Sequence, residues 1–269
     1  MLVSCLASAF RPHPTEAAIA GVRQAGLSNI ELGFRTTAAD GQFVEPPDEA
    51  TLARWEELLA EQQVAVPSVI IISGDPVDPA RLALAQRKLA LGRRFGARVA
   101  VTVAGEAHDE LHRQKLYEHH RRLGDRAGEL GMVVAFETHP GLCGDWRAMQ
   151  RTMQDLDHPA LRLNFDTANY LYYSPGGTVD IALERVLPWV ASLHLKDLVE
   201  PGVWDFPAIG GGGAIDFCRT LEILKALRFE GPATIEIDQP HRGPLSLESC
   251  QERLNASVEH LRRCGWLDG

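Results

Sequence analysis

No run of 18 apolar residues occurs anywhere in the chain, so no segment can cross a bilayer as a helix. Basic residues are in the minority, with 27 Lys and Arg against 36 Asp and Glu and a net charge of −9. That balance repels phosphate backbones and argues against a nucleic-acid partner, while leaving a small, neutral, polar ligand open. The five cysteines, Cys5, Cys143, Cys218, Cys250 and Cys264, are odd in number and contain no CxxC pair. In a chain of 269 residues they read as free thiols suited to a reducing cytoplasm, not as a disulfide framework. The opening MLVSCLASAF lacks the basic start of a secretory leader and reads as a first strand. The turn after it, ASAFRPHP, has no GxGxxG, the sign expected of a dinucleotide-binding open sheet. No Pro/Gly/Ser-rich linker divides the chain, so residues 1–269 read as one domain.

What is present is a repeating alternation of strand and helix. Apolar, β-branched runs fall at Leu2–Ser8, Asn29–Phe34, Val64–Ser73, Arg98–Ala104, Met132–Thr138, Leu161–Asp166, Val190–Lys196 and Ala233–Asp238. Helical periodicity marks the stretches between them, as in Glu49–Gln62, where Leu52, Trp55, Leu58 and Leu59 share a face. Similar patterns cover Pro79–Phe95, Glu110–Leu130, Phe217–Leu227 and Leu247–Arg262. Gly26, Gly96 and Gly131 stand where a helix closes before the next strand. Eight such units in a chain of 269 residues predict a (β/α)₈ barrel, a single-domain α/β TIM barrel.

Polar residues at the carboxyl ends of buried parallel strands call for an explanation, because that face of a barrel carries catalysis. Four consecutive strands end in a potential metal ligand: Glu137 in VVAFETHPG, Asp166 in LRLNFDTAN, His194 in VASLHLKD and Glu236 in ATIEIDQ. Closing the barrel makes neighbours of residues 29, 28 and 42 positions apart. Three carboxylates and one imidazole make a hard, oxygen-rich set suited to one divalent ion, Mn²⁺, Mg²⁺, Co²⁺ or Zn²⁺.

The segments FETHPG, NFDTANY, HLKD, WDFPAIGGGGAIDF and IEID resemble those of the xylose isomerase-like, AP-endonuclease-2-type barrels, over nearly the whole chain. Members include ketose 3-epimerases, hydroxypyruvate isomerase and inosose dehydratase. The resemblance implies that the quartet binds Mn²⁺ or a similar ion. It also implies that Glu137 and Glu236 act as acid and base beside a substrate carbonyl. A sugar isomerase or epimerase is expected, with a dehydratase or lyase on an inosose or keto-sugar as the alternative. A non-catalytic binding barrel is a further option. Endonuclease IV shares this fold, but its three-zinc cluster uses additional histidines and a basic face that this chain lacks.

Other residues are candidates for substrate contact. His139 follows Glu137 by two positions, and Lys196 follows His194 by two, able either to anchor substrate or to pair with Asp197. Asn169 stands where ketose 3-epimerases carry a histidine, a departure that weakens that assignment. Glu31, at the end of the second strand, either touches substrate or forms a salt bridge. Trp204 and Phe206 read as walls, and one of Tyr170, Tyr172 and Tyr173 as pocket lining. Gly210–Gly213 offers backbone amides for an anion such as a substrate phosphate, or else a flexible loop. His108, His112, His119 and His120 read as a solvated face of the fourth helix. The loops Thr138–Trp146 and Leu198–Gly213 are expected to set specificity, and a homo-oligomer is compatible with all of this.

Overall fold

Eight parallel strands run β1 (Leu2–Leu6), β2 (Ile30–Gly33), β3 (Ser68–Ile70), β4 (Val99–Val103), β5 (Val133–Glu137), β6 (Leu161–Asp166), β7 (Val190–Leu195) and β8 (Pro232–Ile235). Each pairs with the next, and β8 pairs with β1 from Leu2–Pro232 to Cys5–Ile235, so the sheet closes into a (β/α)₈ barrel. This computed structural model describes residues 1–34, 45–238 and 243–267. Around the barrel lie α1 (Thr15–Gln24), α2 (Glu49–Gln62), α3 (Pro79–Arg94), α4 (Glu110–Glu129) and α5 (Trp146–Leu156). They are followed by α6 (Thr167–Tyr173), α7 (Val179–Val186), α8 (Phe217–Ala226) and α9 (Leu247–Arg263). Gly26, Gly96 and Gly131 hold φ of 83°, 89° and 65°, the left-handed conformation expected where a helix stops before a strand.

Two strands stop furthest short of their apolar runs. The third keeps only Ser68–Ile70 of Val64–Ser73, because Pro67 has no N–H to give the ladder. The eighth ends at Ile235, so Glu236 stands one residue past it, although its N–H still donates to the Leu195 carbonyl at 3.0 Å.

Alternation along the strands separates two interiors. Outward residues such as Val69, Phe136, Phe165 and Leu193 pack under the helices in the main core. Inside the barrel, Leu6, Ile70, Val99, Val101 and Ala135 form a small apolar cluster. Other inward positions are polar and buried: Ser4, Glu31, Asn164, Ser192 and Thr234. Ser4 Oγ and Thr234 Oγ1 lie 2.7 Å apart, and Ser192 Oγ donates to Asn164 Oδ1 at 2.7 Å. A barrel interior usually fills with branched apolar side chains. This one is half polar, and the polar half lies beneath the candidate ligands.

Two expectations are corrected. Cys218, in the first turn of α8, and Cys264, just past α9, form a disulfide across 46 residues, so not every cysteine is free. The pairing is long-range and leaves no local spacing to read. His120 is not on a solvated face: it is buried, and its Nε2 lies 2.8 Å from the Ala104 carbonyl oxygen. Burial holds its pKa down to about 4, so the ring is a neutral core residue. His108 precedes α4, with its ring stacked on His112 at 4.7 Å.

Candidate metal centre

Glu137 and Asp166 are the last residues of β5 and β6, His194 is the penultimate residue of β7, and Glu236 follows β8. Asp166 and His194 are ladder partners, and all four side chains point inward on the alternation of their strands. One ligand atom from each of the four lies within 4.8 Å of the others. His194 Nδ1 sits 2.9 Å from Glu137 Oε1, 2.7 Å from Glu236 Oε2 and 3.9 Å from Asp166 Oδ2. Asp166 is also the N-cap of α6: its Oδ1 accepts from the Asn169 N–H at 2.8 Å. The cap fixes the carboxylate and leaves Oδ2 turned towards the cluster. Asp48, Asp78, Asp109, Asp145 and Asp216 cap other helices in the same way outside this cluster.

Glu31 lies beneath the ring and does not line the cavity, and of its two readings the structure shows the salt bridge, made to His194. Fully buried, it meets His194 Nε2 through Oε1 at 2.9 Å. Its other oxygen accepts from Ser68 Oγ and, at 3.3 Å, from Thr234 Oγ1. The carboxylate thus accepts a hydrogen bond from Nε2–H and leaves Nδ1 facing the acids, the arrangement that orients a ligating histidine.

Charge is unevenly compensated here. Burial works against charge on His194, yet Glu31 and Glu236 push its pKa well above the ordinary imidazole value. Burial likewise opposes ionisation of Glu137, but hydrogen bonds from His139 and His194 hold its carboxyl far below the usual range. Glu236 is held at about 2 against burial, by Lys196 and His194. Asp166 is pushed up to about 7 by burial, assisted by the charges of Glu236 and Glu137, with Lys196 only partly offsetting them.

The residues fit a divalent cation. Asp166 Oδ2 is buried and takes part in no hydrogen bond, and Glu236 Oε2, equally buried, meets His194 Nδ1 in an ion pair at 2.7 Å. Buried oxygens of that kind are costly unless something occupies their lone pairs. One nitrogen and three carboxylates supply the hard to intermediate donors that Mg²⁺, Mn²⁺ or Zn²⁺ accepts.

The cluster lies at the end of a cavity of about 760 Å³ that is also lined by His139, Asn169, Lys196, Trp204 and Asp238. Lys196 is buried and pairs with Glu236 Oε1 at 2.9 Å and Asp238 Oδ2 at 2.6 Å, not with Asp197. Its ammonium also sits 4.4 Å from the Phe206 ring centroid and 3.4 Å from Asn169 Oδ1. His139 reaches Glu137 Oε2 at 3.4 Å, and its pKa is raised, Glu137 outweighing burial. Trp204, 40% exposed, walls the cavity and packs on Tyr172 at 4.9 Å. Tyr173 packs on His139 at 5.7 Å, behind the lining. The glycine-rich loop does hold an anion, but it is the chain's own: Asp197 accepts from the N–H groups of Leu198, Ile215 and Gly210.

Sequence reasoning missed the opposite wall. Leu6–Ser8, Arg11–Glu16 and, from the segment before and in α2, Pro47, Asp48, Thr51 and Trp55 line the same cavity. The polar-rich RPHPTE following the first strand was the available signal.

The sequence model of xylose isomerase-like TIM barrels matches residues 19–264. The chain belongs to that family. Within this xylose isomerase-like chain, a stretch of 137 residues is 28% identical to inosose dehydratase of Geobacillus thermodenitrificans (strain NG80-2). The match covers 44% of each chain, so the chain spans less than half the length of that curated relative. A xylose isomerase-like TIM barrel protein from Mycobacterium smegmatis in complex with magnesium superposes with a TM-score of 0.71 at 20% identity, covering 95% of this chain and 91% of the other. An L-ribulose 3-epimerase superposes at 0.75 and 16% identity, covering 99% and 97%. At these identities the superpositions establish the fold alone.

Proposed function

We propose that this protein is a divalent-metal-dependent isomerase or epimerase that moves a proton at the carbon beside a carbonyl of a small sugar or keto-polyol. The observation that carries the reading is that Glu137 from β5 and Glu236 from the end of β8 both meet His194 Nδ1, at 2.9 and 2.7 Å, and line one cavity with it. Glu137, Asp166, His194 and Glu236 would hold the ion, which when bound supplies Lewis-acid stabilisation of negative charge on substrate oxygen.

This chain's residues do the rest. Glu236, held ionised beside Lys196, accepts the substrate's proton at a carboxylate oxygen. Glu137, from the other side, returns a proton to the same carbon for epimerisation or to its neighbour for isomerisation. His139, 3.4 Å from Glu137 and with its pKa raised by that carboxylate, is the source of the proton, which Glu137, itself held ionised, relays to carbon. Trp204 and the wall from Arg11 to Glu16 orient the sugar and exclude water.

Elimination is the second reading, favoured by the partial match to inosose dehydratase. There His139 would protonate a departing β-hydroxyl after the same proton abstraction. Incubation of metal-loaded protein with ketoses and inososes in D₂O separates the two. Deuterium at the α-carbon with the carbon skeleton's hydroxyls intact supports the first reading, and loss of water supports the second. No exchange with any member of the panel refutes the acid–base pair.

A further inference from the structure

We infer that Cys218 and Cys264 form a thiol–disulfide exchange site whose state sets the rigidity of the β7–α8 loop. The pair lies outside the metal centre, and no step of the proposed reaction uses it. Cys218 is exposed in the first turn of α8, where the helix amino terminus favours negative charge on sulfur. Cys264 is half-buried, and His260 Nε2 stands 3.7 Å from its sulfur.

One face of α9 links this bridge to the cavity. Arg253, Ser257, His260 and Cys264 recur at helical spacing and each touches the β7–α8 segment or the start of α8. Arg253 donates to the Phe206 carbonyl at 2.7 Å and to the Asp238 carbonyl at 2.8 Å. Ser257 Oγ accepts from the Ile209 N–H at 3.0 Å. His260 lies so close to Gly210 that a Cβ there would come within 2.1 Å of its ring. The same loop carries Trp204 and Phe206 and donates the Gly210 N–H to Asp197, the neighbour of Lys196. Releasing Cys264 therefore frees the end of the face that grips the loop. Trp266 Nε1, bonded to the Phe217 carbonyl at 3.0 Å, keeps the junction from opening fully.

The partner chemistry is a dithiol. Its thiolate attacks the exposed Cys218 sulfur, the Cys218–Cys264 bond breaks, and the electron pair leaves on Cys264, which takes up a proton beside His260. The second thiolate attacks the mixed disulfide, releases Cys218 as a thiolate that is then protonated, and closes the reagent's own disulfide. Two electrons and two protons pass from the dithiol to the protein, and the reverse exchange restores the bridge.

The test compares full-length protein before and after dithiothreitol by thiol titration in denaturant and by hydrogen exchange. We expect three reactive thiols before, from Cys5, Cys143 and Cys250, and five after. Amide exchange at Ile209 and Gly210 should rise about tenfold on reduction, with β1–β5 unchanged. Cys264→Ser should show the fast-exchanging loop in either condition, and His260→Ala should slow reduction without altering the thiol count. Five thiols before reduction, or unchanged loop exchange after it, overturns the proposal. So does stoichiometric zinc held by Cys218, His260 and Cys264 in protein whose loop stays protected. None of these readouts needs turnover, so failure here is distinct from failure of the proposed reaction.

Discussion

The two sides of the cavity are built by different means. On the β5–β8 side, the four candidate ligands sit at strand ends or one residue past them and are held by buried partners: Glu31, reaching across from β2, on His194, Thr234 on Glu31, and the α6 cap on Asp166. On the β1–β2 side, the wall is a 3-10 turn, a loop and the start of α2, with Trp55 reaching in from behind. Chemistry that depends on fractions of an ångström sits on ladders that cannot shift one residue without turning every side chain over. Shape, which tolerates more variation, sits on connections.

If that division holds, variants on the strand side change proton transfer and ion binding, and variants on the loop side change only affinity for substrate. The largest effect is expected from Glu236→Gln, which should lower α-proton exchange by about 10²- to 10⁴-fold with bound metal retained, because an amide cannot accept the proton. Parallel metal analysis and D₂O exchange check it, and rescue by excess Mn²⁺ would contradict it. Asp166→Asn should weaken ion affinity by on the order of 10²-fold, with activity partly recovered at high Mn²⁺. In the native protein, the ion must displace the proton that burial keeps on Asp166 up to about 7 and one from His194. Ion affinity measured by calorimetry should therefore strengthen as pH rises from about 6 to about 8, with protons released on binding.

Glu31→Gln tests support from beneath. Losing the carboxylate that accepts the hydrogen bond from Nε2–H should cost about 10- to 100-fold in metal affinity, although Glu31 does not line the cavity. Unchanged affinity would make Glu31 merely structural. The smallest effect belongs to the loop wall: His13→Ala should raise KM by about 2- to 12-fold, the loss of about 0.5–1.5 kcal/mol for one hydrogen bond, with kcat and metal content unchanged. A fall in metal content in that variant would erase the distinction between the two sides.

The strand side was legible because its signal is local. A Glu, Asp or His ending an apolar run stands out in each strand, and four in succession identify one mouth. Even Glu236, misplaced by a strand boundary, was found by its apolar frame in ATIEID. What the sequence hid depends on partners far along the chain. Glu31 meets His194 across 163 positions, and Cys218 meets Cys264 across 46. Lys196 turned from its neighbour Asp197 to Glu236 and Asp238, because Asp197 was already satisfied by the glycine-rich loop. That loop looked like a phosphate cradle for the same reason: its amides do bind an anion, and spacing alone does not say whose. The β1 wall was read for a dinucleotide motif it lacks and not for the polar side chains it offers.

The pairing of β8 with β1 also sets a timetable. Ser4 and Thr234, 2.7 Å apart, are separated by 230 positions, and Glu236 is among the last strand-borne groups to be synthesised. A chain growing on a ribosome can present Glu137, Asp166 and His194 early, yet it has no fourth ligand and no floor beneath Glu31 until its final strand emerges. If the four residues hold an ion as proposed, its complete coordination would report that the barrel has shut, and metal supplied during synthesis would act on the finished ring rather than on its first half.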